Sequence, residues 1–201
     1  MDTEGFWALV EASAGAGGGP DERLTWLTER LAGLPATEVV DFQLRLDEAH
    51  ARADTTLLWA AALRICGGLC SDDGFRYFQG WLVGLGRSVF ERVVAAPDTL
   101  ADVPQVRRLA GRPTREWSDA EWPDWESLDY VADEAHERIT GIAEGLEGAV
   151  LARSGEPGDD SPDPGDDPEE PDDPEEPDDP AEFARRYPRL AAMFPPVPAR
   201  L

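Results

Sequence analysis

Residues 66–97 read CGGLCSDDGFRYFQGWLVGLGRSVFERVVAAP, and they decide the fold class. Gly67 and Gly68 break whatever precedes them. Ser71 offers a side-chain oxygen for a helix N-cap. Asp72 and Asp73 put negative charge in the first turn, where the helix dipole favours it. Phe75, Phe78, Leu82, Leu85, Val89 and Val93 then recur at steps of three and four, the mark of one apolar helix face. Gly80, Gly84 and Ser88 form a second stripe of small residues, suited to close approach by another backbone. Pro97 and Asp98 stop the pattern. The spacing predicts one central core helix entered at Ser71.

Working outward, the same periodicity recurs. Phe6, Trp7, Leu9 and Val10 mark a first helix that dissolves into Gly15–Gly19. Leu24, Leu27 and Leu31 mark a second, restarted by Pro20 and Asp21 and ended near Gly33. Val39, Phe42, Leu46, Ala49 and Ala53 make a third stripe. Leu57, Leu58, Ala61, Ala62 and Ile65 carry a fourth helix to the glycine pair. Residues 103–123 read as irregular, with Pro104, Pro113 and Pro123 as breaks. A long helix is expected beyond them, with Leu128, Val131, Ala135, Ile139, Ile142, Leu146 and Val150 on one face. No stretch alternates as a strand would. The expectation is an all-α, bundle-like domain of five to six helices over residues 1–153.

The 201 residues carry a net charge of −24, very unevenly. Residues 155–181 hold fourteen Asp or Glu and no Arg, and without them the charge falls to −10. The run PEEPDDPEEPDDP cannot bury apolar area and repels itself, so residues 154–181 read as a disordered acidic spacer. All eighteen basic residues are Arg, a pattern of coding bias. An acidic surface disfavours direct contact with nucleic acid backbone or anionic membrane, since both require clustered cations. No segment has the ~20 apolar residues of a membrane span. The opening residues lack the basic and apolar regions of a signal peptide. With two cysteines and no export signal, the expected compartment is the cytoplasm.

Residues 182–201 change character again. Phe183, Tyr187, Leu190 and Phe194 stand among Arg185, Arg186 and Arg189. A disordered end has no use for such side chains, so they are candidate docking residues, for their own domain or for a protein partner. Pro188 disfavours a helical conformation at Tyr187.

Chemistry is harder to find. Cys66 and Cys70, with His50 and one further group, could supply a zinc set. Buried thiols acting as small hydrophobes are the stronger reading, and no metal or other cofactor is expected. Asp72 and Asp73 have no adjacent base or nucleophile, so helix entry outweighs catalysis. His50, beside Asp47 and Glu48, sits in a polar cluster of the kind a solvated helix face carries. Trp117, Trp122 and Trp125 could cage a ligand together with His50, yet tryptophans beside a helix start more often pin a loop to the core.

The block around Trp59 to Ala101, with LWAAAL, GG, CSDDGF, YF, WL and a later PD and LAD, resembles a bacterial family known as domain of unknown function 4240. The opening GFWALVEAS and the segment FQLRLDEAHARA are similar to it too, so the resemblance covers roughly residues 1–135. It implies a small helical cytoplasmic domain and no particular reaction. Cys70, Ser71, Asp72, Asp73, Gly74 and Phe75 are its motif positions, without an implied role. The sequence therefore reads best as an interaction or regulatory module with a tethered C-terminal peptide. The alternative is a small enzyme or ligand binder with its site near Cys70–Asp73 and the tryptophan loop. Asp72 facing a pocket with His50 or Glu48 would favour the alternative.

Overall fold

Proline and glycine set most helix boundaries in the computed structural model, which describes residues 1–17, 19–155 and 180–196. The core of the acidic spacer, 156–179, and the final residues 197–201 lie outside the described residues. Every regular element among those described is helical. By packing they fall into two units, the first from 1–51 with 126–155, the second from 52–125 with 180–196.

The first unit contains α1 (Thr3–Ser13), α2 (Pro20–Ala32), most of α3 (Ala36–Ala53), a 3₁₀ turn at Glu126–Tyr130, α8 (Val131–Thr140) and α9 (Gly145–Ser154). Pro20 occupies the first turn of α2, where its missing N–H has no intrahelical partner to lose. The apolar stripes read from the sequence turn inward. Phe6, Val10, Leu27, Leu31, Phe42, Leu46, Leu128, Val131 and Ala135 are buried. Phe6 is the hub, with ring centroids 5.0 Å from Trp7 and 5.1 Å from Phe42. α2 packs on α8, where Thr28 Oγ1 donates to Glu134 Oε2 at 3.3 Å.

The long helix expected after residue 125 is two helices. α8 ends at Gly141 in the left-handed conformation, and α9 begins only at Gly145. The phase of the stripe is lost across that interval. Ile142, assigned to the buried face, is 60% exposed, while Leu146 is buried again.

The second unit contains α4 (Thr56–Ile65), α5 (Asp72–Gly84), α6 (Arg87–Ala95), a 3₁₀ turn at Pro97–Asp102, α7 (Pro104–Leu109), 3₁₀ turns at Thr114–Glu116 and Asp119–Glu121, and then α10 (Pro180–Arg186) and α11 (Pro188–Met193). The central helix expected from Ser71 to Pro97 is likewise interrupted. Gly86 takes φ +92°, a conformation that side-chain-bearing residues avoid, and the chain restarts as α6. The new helix is rotated relative to the old stripe. Phe90 and Val93 are fully buried, whereas Leu85 and Val89 are only half-buried. Residues 103–123 are also more regular than expected, because Pro104 starts α7 instead of breaking a segment.

Candidate functional site

The motif segment joins α4 to α5. Cys66 is the C-cap of α4, and Gly67 and Gly68 follow at φ +65° and +82°. The Gly68 N–H reaches back to the Leu63 carbonyl at 2.8 Å, closing the helix end. A Cβ on Gly67 would meet Thr114 Cγ2 at 3.3 Å, so this position holds glycine for space as well as for its backbone angle. Leu69 projects outward, 64% exposed. Ser71 then caps α5, its Oγ accepting from the Gly74 N–H at 3.2 Å. Asp72 and Asp73 are exposed in the first turn. Phe75 is buried and stacks on Trp59, with centroids 4.7 Å apart.

Within that loop the two thiols meet. Cys66 and Cys70 carry free thiols, both buried, and each acts on the other's acidity. The contact pulls their acidities apart. Accepting from Cys66 holds the Cys70 thiol below the ordinary range, against opposition from burial and Asp72. Donating to Cys70, with burial added, pushes the Cys66 thiol well up. Among the described residues no three His, Cys, Asp or Glu side chains group so as to hold a metal.

The tryptophans separate into distinct jobs. Trp117 and Trp122 meet edge to face, with centroids 5.0 Å apart. Trp117 is buried, whereas Trp122 is half-buried. Trp125 is buried and anchored through its backbone N–H, which donates to the Tyr77 carbonyl at 3.0 Å. Trp122 and Trp81 face a shallow cleft of about 250 Å³, with Gln105, Arg108, Leu109 and Glu121. Cys70, Ser71, Asp72 and Asp73 are not part of its lining. Glu121 is held by Arg112, which forks onto both carboxylate oxygens, and by the Ser118 N–H at 3.0 Å. These donors, Arg112 first, favour the carboxylate and bring its pKa down to about 2. Glu121 is therefore a loop fastener.

His50 belongs to the first unit. It is buried there, and its Nε2 lies 3.2 Å from Asp129 Oδ1. Sequence reading placed it on a solvated face. Asp129, 79 residues later, is the partner that spacing cannot reveal.

The C-terminal segment has the densest set of specific contacts. Phe183, Tyr187, Leu190 and Phe194 are 0%, 2%, 0% and 7% exposed. They pack in the second unit against α4 and the turn Pro97–Asp102. The Arg64 guanidinium lies over the Phe183 ring, 4.2 Å from its centroid, and Phe183 in turn packs on Tyr187 at 4.6 Å. Tyr187 donates its hydroxyl to the Leu57 carbonyl at 2.9 Å. Its backbone leaves the helical region at φ −128°, ψ 63°, as the following proline requires, which separates α10 from α11. Asp98 accepts from the backbone N–H groups of Arg189 and Leu190 at 3.1 and 3.0 Å. Asp102 takes the Arg189 guanidinium, with one contact at 2.8 Å and a second, shorter one. Sequence reading named Leu57 only for an apolar stripe, although its side chain is 43% exposed, and Asp98 only as a helix stop; it did not name Arg64 or Asp102. Nothing in their spacing marks them as a set, since each contributes a carbonyl, a ring contact or a carboxylate from a different turn.

No helix among the described residues is long and apolar enough to cross a membrane. No curated protein and no solved structure matches the chain. A family model described as protein of unknown function (DUF4240) matches residues 1–138, stopping before α9 and before the C-terminal segment. That match takes in the CSDDGF entrance of α5, the tryptophan loop and His50, and on this evidence the chain belongs to the DUF4240 family of proteins of unknown function.

Proposed function

We propose that the chain is an interaction module whose C-terminal segment is a tethered ligand, held in the groove of α4 and Pro97–Asp102 and released to admit a protein partner. The carrying observation is how the segment is held. Its apolar residues are matched by two contacts specific to peptide side chains, Tyr187 to the Leu57 carbonyl and Arg189 to Asp102, and by backbone N–H groups at the start of α11 that donate to Asp98. Such contacts select one peptide sequence instead of merely covering an apolar surface. The attachment supports the same reading. Residues 156–179, almost wholly Pro, Asp and Glu, join the segment to the rest. A tether of that length gives an effective concentration in the millimolar range, so an intrinsically weak contact stays mostly closed yet remains open to competition. The domain organisation that follows is a helical body to residue 153, a spacer over 154–181 and a docking segment from 182 onward.

The test uses the full chain with Tyr187→Ala and Arg189→Glu, which should open the groove. A peptide of residues 180–196 is then titrated in trans and followed by NMR. Saturable shifts at Leu57, Arg64, Asp98 and Asp102 are expected, weakening with salt. No shift at about 1 mM peptide in low salt would sink the reading, because a groove that cannot rebind its own segment at the tethered concentration is not a binding site.

A further inference from the structure

We propose that the cleft lined by α5, α7 and the turn Asp119–Glu121 is a binding site for a small aromatic monocarboxylate, its ring laid on Trp81 and Trp122 and its acid group on Arg108. The lining holds what such a ligand needs. Trp81 and Trp122 are half-buried, so each keeps ring surface open to a flat apolar body. Leu109, from the buried side of α7, adds an apolar wall. Arg108 is exposed, and among the described residues its guanidinium has no ion-pair partner. A guanidinium is a planar fork that meets a carboxylate through two parallel hydrogen bonds. Gln105 contributes an amide that can donate as well as accept.

Charge and size choose the class of ligand. Glu121 also lines the cleft, but Arg112 takes both of its oxygens, and Ser118 adds an N–H at 3.0 Å and a hydroxyl at 3.1 Å. It is committed, so it does not recruit a cation, and Arg108 repels one. One uncommitted positive charge remains, and it matches one negative charge. A phosphate near its second ionisation would bring more charge than Arg108 neutralises, beside the Glu121 carboxylate. The volume of about 250 Å³ lies below the ~300–1,000 Å³ of sites for drug-sized ligands, which suits one ring with its acid group. The walls are also fixed in advance. Buried Trp117 backs the Trp122 ring edge to face, and Trp81 leans on buried Phe78 with centroids 5.2 Å apart. Arg112 braces the turn to α7, donating to the Arg108 carbonyl at 3.4 Å and the Glu116 carbonyl at 3.0 Å while it holds Glu121. The cleft shares none of these residues with the groove of the C-terminal segment, so the two proposals stand or fall separately.

The test titrates the full chain with benzoate, and in parallel with benzamide and with inorganic phosphate, while NMR follows the tryptophan indole N–H signals. Trp81→Phe and Trp122→Phe assign the two that matter. Benzoate should shift both saturably, with a Kd on the order of 1 mM in low salt, and leave Trp7 and Trp26 of the first unit unmoved. Benzamide, the same shape without the charge, should bind about tenfold more weakly. Phosphate should not saturate. These three arms use the unaltered chain and need no variant to fold. Arg108→Gln, a change at an exposed position, should weaken benzoate by about tenfold and leave benzamide as it was. No saturable shift of Trp81 or Trp122 at about twenty times the expected Kd would overturn the proposal. Equal affinity for benzamide, or tighter binding of phosphate, would do the same. A peptide of residues 168–174, PEEPDDP, that shifts both tryptophans where benzoate does not would make the cleft a peptide surface and overturn it too.

Discussion

Phe42 of the first unit and Phe183 of the second are buried to the same degree, both 0% exposed, but the helices that carry them differ. Phe42 sits in an 18-residue helix with Phe6 and its neighbours around it. Phe183 sits in a seven-residue helix followed by one of six. A helix of 18 residues that buries a full apolar face is bound into its unit's cooperative structure. Helices of six and seven residues are far below the length at which a helix holds itself together in water. On the proposed reading, equal burial reports an integral core in one case and a conditional one in the other, ordered while the groove is filled.

Four measurements would break or sharpen this contrast. The largest effect belongs to Phe42→Ala. Removing a buried ring costs about 3–5 kcal/mol, and here the loss should appear in full as a lower midpoint of chemical unfolding. Phe183→Ala removes a comparable ring, yet its penalty is capped by the docking free energy, because the segment can leave. Hydrogen exchange should show fast amides over 180–194 with protection in α4–α6 retained. Equal loss of protection across the second unit would make the segment integral and erase the contrast.

The next effect is smaller. Asp98→Ala removes the acceptor for the first N–H groups of α11 and should weaken docking by about 1 kcal/mol, the usual worth of a cap. Trans titration of the 180–196 peptide would read it as a several-fold weaker Kd. The smallest is a pH effect. Burial raises the Tyr187 hydroxyl above its ordinary value. A folded value above the unfolded one contributes stability that is complete below pH ~10 and is lost as pH rises through the folded value. Asp102 has the opposite sign. Arg189 holds its carboxyl below the usual range, so its contribution is present above the unfolded value near 3.9 and disappears as pH falls through the folded one. The segment should therefore be best held at intermediate pH, and exchange rates over 188–193 at pH 3, 7 and 10.5 would show it.

Legibility in the sequence followed the same division. The stripes of α1 to α4 were readable because unbroken 3.6-residue periodicity is a local property. The breaks at Gly86 and Gly141 were not, since a glycine inside a periodic run is compatible with continuing the helix. Its cost is recovered or not by packing elsewhere, and the burial of Phe90 in place of Val89 is the outcome. Phe183, Tyr187, Leu190 and Phe194 stood out because a charged, proline-rich run isolates them. Their receptor did not, because the Leu57 carbonyl, the Arg64 face and the Asp98 and Asp102 carboxylates look like ordinary surface until the chain folds. His50 was noticed, but Asp129 was not. The thiol pair was noticed too, though its spacing alone did not show that Cys66 would close α4 while Cys70 lies just ahead of the α5 cap.

One detail of the docked segment has a practical reach. Tyr187 gives α11 no side-chain cap, and Asp98, far earlier in the chain, supplies it. The segment thus borrows from the turn Pro97–Asp102 the group that caps it, and on the proposed reading α11 exists only in the occupied state. The chemical shifts of residues 188–193 are then an intrinsic gauge of occupancy. Any competitor, from whatever source, registers as uncoiling of a helix it never has to touch, and the gauge needs no label.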